Sequence, residues 1–450
     1  MHEPPLLLEH LAVREFRNVA RVELRPGRRL TVFAGDNGQG KTSLLEAIYF
    51  VATSKSFRTP RLGEVTRHGQ PIASVRARFR DGGTGLGREQ TASVDEGQRV
   101  VKIDEKRPPS LAAYAVRSPV VCFHGAELEL STGSAAARRT LLDRVSLFLE
   151  PASLDHHERY RRAVRERQKA LSMRGPEASD LDAYEELCAR HGAAVTRTRE
   201  RAAAAVTSWL GDMFAKLAAP GLTLGATFKR GGSADEDECR RELRERRVRD
   251  RVRGVASFGP HRDELLLTLD GHPARVVASQ GQHRAITLAL KLAEYSAIAK
   301  ARGVLPLLLL DDVSSELDAA RTSSLLALLG EMGAQIFLTT TRPELIVTPW
   351  VAASDRVDVM LTAGRTDGAP GETSPIPSLT PQGGGADGRR DGATPGPESV
   401  GGPVRAETAP GATPLPGQVA GAAEGAATGQ DGGESDEGDE DEDEGDEDEG

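Results

Sequence analysis

The sequence predicts an α/β fold with an antiparallel sheet beside it and a helical lobe inserted into it. Three observations lead there. A short apolar run, Leu30–Phe33, ends at a glycine-rich loop, Gly35–Thr42, and a helical pattern follows at Ser43–Ala52. A second apolar run, Leu307–Leu310, ends at two acids, Asp311 and Asp312. Between these runs, residues 138–253 change from β-type alternation to the three-and-four spacing of helices. Strand, loop and helix in that order form the unit from which parallel, doubly covered sheets are built.

Each element follows from local pattern. Leu11–Phe16 and Val22–Leu24 alternate apolar and polar residues around the turn at Pro26–Gly27. From Ile72 to Ile103, short β-rich stretches are separated by Asp81–Gly87 and Glu96–Gly97, which predicts an antiparallel sheet. Tyr160, Val164 and Leu171 form one helical stripe, broken at Gly175–Pro176. Leu181, Tyr184, Leu187, His191, Val195, Thr198, Ala202, Ala205, Trp209, Met213 and Leu217 then advance by three or four residues along a single helix. Such a helix extends for roughly 55 Å. Its stripe forms core, and its Tyr and His receive no cofactor role. Strand character returns at Leu222–Phe228, Leu265–Leu269 and Ile336–Thr339, with a helix from Gly281 to Ala301.

Composition sets outer limits. At 450 residues, 38% hydrophobic and 28% charged, the chain has enough apolar material for two or three domains. No run of 18 apolar residues occurs, so no membrane partner is expected. Cys122, Cys188 and Cys239 match no metal spacing and read as free thiols of a cytoplasmic protein. The net charge of −9 conceals two opposite parts. Residues 365–450 hold 21 acids and 4 bases; subtraction from 67 and 58 leaves 46 acids and 54 bases in 1–364. A basic body suits a nucleic-acid partner, because Lys and Arg neutralise phosphates and release counterions. Scattered charges on solvated faces would give the same sum. The tail is low in large apolar residues and is expected to be disordered. It serves either as a solubilising tail or as a mimic competing with nucleic acid for the body.

Gly35-Asp36-Asn37-Gly38-Gln39-Gly40-Lys41-Thr42 fits GxxxxGK[ST] at every fixed position. Glycines let the backbone N–H groups curl around phosphates, Lys41 adds a positive charge, and the Thr42 hydroxyl ligates Mg²⁺. The motif predicts an ATP site at the N-terminus of a helix, where the helix dipole favours an anion. Asp311, at the carboxyl end of a buried strand, is placed to hold the Mg²⁺, and Asp312 to orient or deprotonate the attacking water. A core strand ending in surface acids is the plainer reading of this segment taken alone. Ser279-Gln280-Gly281-Gln282 precedes a helix and resembles the LSGGQ signature of ABC-type ATPases; a simple N-cap would look the same. Lys41 and Asp311 are 311 − 41 = 270 residues apart, which implies a large insertion within one ATPase head. The segment Ser314–Asp318 follows as a dimer-contacting D-loop does. Thr339-Thr340-Thr341 stands where many such ATPases carry a switch His.

With these motifs assembled, the chain resembles the RecF family of bacterial DNA replication and repair ATPases. Phe16-Arg17-Asn18, Leu44-Leu45-Glu46-Ala47-Ile48, Ser56-Phe57-Arg58, Arg138-Arg139 with Leu142-Asp143, Gly259-Pro260-His261-Arg262-Asp263 and Ser279–Arg284 follow the family pattern. The segment Phe123-His124-Gly125-Ala126-Glu127-Leu128 departs from the family's Phe-x-Pro-Glu-Asp-Leu, and the acidic tail is outside the pattern. The resemblance implies an ABC-type P-loop head, its N-terminal half at 1–135 and C-terminal half at 254–364. A helical lobe at 136–253 lies between them, with the tail at 365–450. It further implies an ATP-dependent homodimer that binds duplex or gapped DNA and single-strand/duplex junctions. A RecR-type recombination mediator would be its partner in loading recombinase onto single-stranded DNA during repair and the SOS response. Two ATP molecules would each be held by Lys41 and Thr42 of one chain and by Ser279 and Gly281 of the other. Turnover is expected to be slow, because Asp312 stands where Glu is usual. DNA contacts are sought among Arg161, Arg162, Arg165 and Arg167. An SMC-type head would need a far longer coiled coil, and a nuclease-associated ATPase an extra catalytic domain. A transporter subunit would carry a much smaller insertion. A binding clamp with ATP as a structural ligand is the reading from another class.

Overall fold

The computed structural model describes residues 3–217, 221–312 and 319–366, without the side chains of 319–321 and 323. The acidic tail beyond Thr366 and the expected D-loop at Ser314–Asp318 lie outside the described residues. In chain order the strands are β1 (Leu6–Phe16), β2 (Val19–Leu24), β3 (Leu30–Ala34), β4 (Ile72–Asp81), β5 (Gly87–Asp95), β6 (Gln98–Ile103) and β7 (Val120–Phe123). They continue as β8 (Leu224–Lys229), β9 (Glu264–Leu269), β10 (His272–Pro273), β11 (Leu307–Leu310), β12 (Ile336–Thr340), β13 (Arg356–Thr362) and β14 (Arg365–Thr366). The helices are α1 (Lys41–Thr53), α2 (Leu111–Ala115), α3 (Glu129–Thr132), α4 (Ala135–Leu149), α5 (Ser153–Arg174) and α6 (Leu181–Leu217). Then come α7 (Glu236–Glu245), α8 (Arg247–Arg253), α9 (Ala274–Val277), α10 (Gln280–Arg302) and α11 (Ala319–Met332).

The central sheet has the order β14-β13-β3-β12-β11-β7 and is parallel from β13 to β7. Its inner strands are continuous apolar runs because both faces are covered. Side chains alternate across the sheet, so each strand feeds two cores. Leu308, Leu310, Ile336, Leu338, Val121 and Phe123 enter the core shared with α4, α6 and α10. Leu307, Leu309, Phe337, Val120, Cys122 and Phe33 enter the core shared with α1 and the antiparallel sheet. That second sheet runs β2-β1-β4-β5-β6, as the alternation over Ile72–Ile103 predicts. The architecture is an ABC-ATPase head with an antiparallel sheet and a helical insertion.

The lobe is a helical hairpin, α5 and α6, turned at Gly175, whose φ of 87° suits glycine. Helix α6 is a single helix of 37 residues. Its buried surface is wider than one stripe, because α5, α7, α4 and α10 pack around it. Leu187 of the expected stripe is 41% exposed, and the seam passes instead through Cys188. Strand β8 pairs with β9, so residues within 136–253 share a small sheet with residues beyond 253.

One expected DNA contact is overturned. Arg167 is fully buried, pairing with Glu185 at 3.1 Å and Asp250 at 2.8 Å and donating to the Leu243 carbonyl at 2.6 Å. Its position on the helix turns it toward α6 and α8, whereas Arg161, Arg162 and Arg165 face solvent. Cys122, Cys188 and Cys239 are buried free thiols, and burial pushes each thiol up in pKa, Cys188 to about 12 and Cys239 to about 11. No helix among the described residues is long and apolar enough to cross a membrane.

Candidate functional site

The glycine loop connects β3 to α1 at the carboxyl edge of the central sheet. Gly35, Gly38 and Gly40 have φ of 141°, 80° and 104°, a region closed to most side chains. A Cβ on Gly35 would lie 2.6 Å from the Leu361 carbonyl oxygen. The loop is braced from two sides. Asn18 Nδ2 donates to the Gly38 carbonyl at 2.8 Å and Asn18 Oδ1 accepts from Ser43 Oγ at 2.8 Å. Gln39 Oε1 accepts from the Ala363 N–H at 2.5 Å, and its carbonyl from the Gly364 N–H at 3.1 Å.

Helix α1 is fixed through Glu46, whose carboxylate is fully buried. Arg17 meets it with two hydrogen bonds, 2.9 and 2.7 Å; Ser56 Oγ donates at 2.6 Å and Arg58 Nη1 at 3.4 Å. Phe16-Arg17-Asn18 and Ser56-Phe57-Arg58 therefore hold the loop and its helix in place. Lys41 Nζ donates to the carbonyls of Gly35 at 2.7 Å and Asp36 at 2.8 Å, within the loop. Burial lowers the Lys41 pKa, and the carboxylates of Asp312, Asp311 and Asp36 oppose that shift.

Asp311 extends from β11 to the foot of the loop. Its Oδ1 accepts from Thr42 Oγ1 and from Thr339 Oγ1, both at 2.8 Å. Burial raises the Asp311 pKa; the two hydroxyls pull it back, and neighbouring Asp312 adds to the rise. Asp312 has φ of 51°, and its N–H donates to Thr339 Oγ1 at 2.8 Å. One hydroxyl on β12 thus orients both acids. Composition and spacing assign Thr339 no role beyond standing where a switch His is common; its place at the end of a central strand is the signal.

Asn37, Gly38, Gly40, Lys41, Thr42, Asp312 and Thr339 line an open cleft of about 860 Å³, together with Arg17, Arg58 and residues 66–70. A hard cation fits the foot of this cleft, where a carboxylate oxygen and a hydroxyl already converge. No group of three or more ligating side chains exists among the described residues. Mg²⁺ is commonly held by one or two carboxylates plus substrate phosphates; the Asp311 carboxylate and the Thr42 hydroxyl are the protein groups that stand together there.

Ser279, Gln280, Gly281 and Gln282 do not line this cleft. They open α10 as a capping box: Ser279 Oγ accepts from the Gln282 N–H at 3.3 Å, and Gln282 Oε1 from the Ser279 N–H at 2.7 Å. Ser279 and Gln280 are exposed. Within one chain, then, the loop and the two acids come together, and the Ser279–Gln282 turn stands apart at the surface.

The Phe123–Leu128 segment follows β7 and joins head to lobe. Glu127 Oε1 lies 3.2 Å from Lys291 Nζ on α10 and 3.5 Å from Arg144 Nη2 on α4. Glu294 pairs with Lys291 at 2.6 Å and with Arg144 at 2.7 Å. His124 stacks on Phe57 with ring centroids 4.9 Å apart and lies 3.6 Å from Glu127. Burial lowers the His124 pKa to about 4, while Lys291 and Arg144 outweigh burial and lower that of Glu127 to about 2. The Gly259–Asp263 motif is likewise an anchor, for Arg199 pairs with Asp263 at 3.2 Å and with Asp143 at 2.7 Å.

Residues 7–355 match the family model described as "RecF/RecN/SMC N terminal domain". The "DNA replication and repair protein RecF" of Anaeromyxobacter sp. (strain Fw109-5) is 42% identical over 345 residues, covering 75% of this chain and 92% of the relative. That of Myxococcus xanthus (strain DK1622) is 39% identical over 350 residues, covering 75% and 91%. Among solved structures, "Structure of the recombination mediator protein RecF-ATP in RecFOR pathway" superposes with a TM-score of 0.72 at 23% identity, covering 82% of this chain and 98% of that one. A companion described as RecF-ATPrS gives 0.71 at 24% identity, over 81% and 99%. The chain belongs to the RecF family of DNA replication and repair proteins.

Proposed function

We propose that this chain is an ATP-switched DNA-binding factor in which the Gly35–Thr42 loop holds the triphosphate and Thr42 and Asp311 hold its Mg²⁺. The observation that carries this reading is the 2.8 Å bond from Thr42 Oγ1 to Asp311 Oδ1, which joins residues 269 apart in sequence at the foot of the glycine loop. When bound, Mg²⁺ would neutralise charge on the β- and γ-phosphates. Lys41 would leave the Gly35 and Asp36 carbonyls to meet the phosphates. Asp312, held through its N–H by Thr339, would orient the attacking water and accept its proton. A side chain one methylene shorter than Glu reaches that water less well, so turnover is expected to be slow.

The exposed Ser279–Gln282 turn supports a site completed in trans. On this reading two chains close on two ATP molecules, with Ser279 and Gly281 of each contacting the γ-phosphate held by the other. Gln280 and Gln282 would shape that turn. The closed dimer would grip duplex DNA or single-strand/duplex junctions and act in the cytoplasm with a RecR-type mediator. Loading of recombinase in repair, replication and the SOS response would follow, and hydrolysis would release the DNA.

The test is light scattering with and without ATP, and turnover with and without duplex DNA, for wild type and Asp312→Asn. The expected result is an ATP-dependent dimer, DNA-responsive turnover, and a variant that dimerises without turning over. Chains that stay monomeric at saturating ATP would overturn the shared site. Turnover indifferent to DNA would overturn the coupling.

A further inference from the structure

A pocket lies where the nucleotide head meets the lobe, and the nucleotide site does not use it. Leu111 and Ala115 of α2, Val120 of β7, Leu147 and Phe148 of α4 and Leu154 of α5 wall a cavity of about 70 Å³. At about 10–15 Å³ per water-sized group, it has room for about five such groups. Beside it runs a wider, open groove of about 560 Å³, which shares Leu111, Leu154 and Glu158 with the pocket. Ala112, Ala113, Val116, Pro151 and Ala152 continue the apolar lining there. A chain too long for the pocket has room to lie along the groove.

The rest of the lining is polar, and its donors are not all used. Ser54 closes α1 with φ of 59°, is 1% exposed, and its Oγ has no hydrogen-bond partner among the described residues. A buried hydroxyl without a partner forfeits the hydration it had in water, so this atom marks a place for an acceptor. Arg99 Nη1 donates to the Ser54 carbonyl at 2.9 Å. Neither Arg99 nor Lys55 is ion-paired among the described residues. Burial lowers the Arg99 pKa, and the Glu158 carboxylate offsets only part of that shift. Arg144, the third cation of the lining, is committed to Glu294 at 2.7 Å. Three cations, Lys55, Arg99 and Arg144, thus face two carboxylates, Glu158 and Glu294, which leaves one positive charge in excess.

We infer that the pocket binds the head of a straight-chain monocarboxylic acid, whose chain runs past Leu111 and Leu154 into the groove. One negative charge balances the lining. The carboxylate oxygens accept from Ser54 Oγ and from the two unpaired cations, and the apolar wall covers the methylenes. An amine would add to the excess of positive charge. A phosphate monoester would bring about two negative charges to a site that lacks one. Helix α1 starts at the phosphate loop and ends at the pocket, roughly 20 Å away over its 13 residues. ATP and the acid therefore bind at the same time, and binding of the acid requires neither ATP nor DNA.

Titration of the full-length chain with hexanoate, followed by calorimetry and by melting temperature, tests it with and without saturating ATP. ATP keeps the phosphate loop, the other anion site, filled. The expected result is one saturable site in both conditions, with Kd on the order of 100 µM for a ligand of about eight heavy atoms. From butyrate to octanoate, affinity should rise about threefold to fourfold per methylene as the chain covers apolar wall. Hexanol and hexylamine should bind at least about tenfold more weakly, since neither brings the charge-assisted acceptor. Lys55→Gln combined with Arg99→Gln should cost hexanoate at least about tenfold in affinity and leave ATP affinity unchanged. The head-group series uses only the wild-type chain, so it decides the matter even if that double variant fails to fold. No saturable change in heat or melting temperature up to about 10 mM hexanoate would overturn the site. Binding seen only without ATP would move the acid to the phosphate loop and overturn it too. Equal binding of hexanol, or a folded double variant that binds like wild type, would overturn the carboxylate assignment.

Discussion

Thr339 carries more of the site than its place in a run of three threonines suggests. Its hydroxyl donates to the Asp311 carboxylate and accepts from the N–H of Asp312, so it holds the first acid's side chain and the second acid's backbone. Thr339→Val keeps the shape and removes both bonds. We expect turnover to fall by one to two orders of magnitude with ATP affinity changed less than about threefold, and stability to drop by about 1–3 kcal/mol. Steady-state turnover beside equilibrium nucleotide binding decides this; equal losses in both would place Thr339 in binding rather than alignment. Asp311 has the opposite balance. Its pKa is raised in the fold, so its protonated form favours folding. That contribution is complete below the unfolded-state carboxylate pKa and is lost as pH rises through the raised value. At neutral pH the buried charge therefore costs stability in the nucleotide-free chain. Asp311→Asn retains an oxygen acceptor for Thr42 and Thr339 and should raise the melting temperature while abolishing Mg²⁺-dependent turnover. A melting temperature that falls would refute the account of Asp311 as a carboxylate lacking its cation. The glycine loop and the two acids were legible in sequence because each residue type is required by the chemistry. Thr339 was not, since a threonine closing a β-strand is ordinary.

At the scale of elements, β7 and the turn after it connect the nucleotide head to the lobe. His124 and Glu127 stand where Lys291 and Glu294 of α10 and Arg144 of α4 converge, and both pKa values are shifted down. For His124, a lowered pKa makes the neutral ring the folded form. Its contribution is present above about pH 6.5 and is lost as pH falls toward about 4. Glu127 contributes above about pH 4.5 and loses that contribution toward about 2. Wild type should therefore lose about 2–3 kcal/mol between pH 7 and 4 beyond what His124→Asn loses. Urea melts of both proteins at pH 7, 5.5 and 4 measure the difference, and parallel curves would show that His124 is not neutralised by burial. Helices and strands were readable because periodicity reports which face is covered. Helical spacing places Leu187 inward on α6, and the arginine-rich stretch of α5 places Arg167 among candidate DNA contacts. The structure exposes the first and buries the second, because packing on several sides selects the buried face and spacing alone does not.

For the whole molecule, the separation of Ser279–Gln282 from the cleft makes symmetry a measurable property. In a dimer with two shared sites, Lys41→Met and Ser279→Arg each damage both. A mixed dimer collects both lesions in one site and leaves the other intact, so an equimolar mixture should regain about a quarter of wild-type turnover if chains associate at random and sites act independently. Turnover no higher than the average of the two variants would place each site within one chain. By itself the sequence determined the phosphate loop, the carboxylates at the end of a buried strand, the α/β alternation and the long inserted helix. Each depends on neighbours within a few residues or on a backbone conformation open to few residue types. Only tertiary structure decided which arginines are structural, that Glu46 gathers Arg17, Ser56 and Arg58 beneath the loop, and that Thr42 meets Asp311. Those contacts join residues far apart in the chain, and local pattern carries no record of which distant partner closes them.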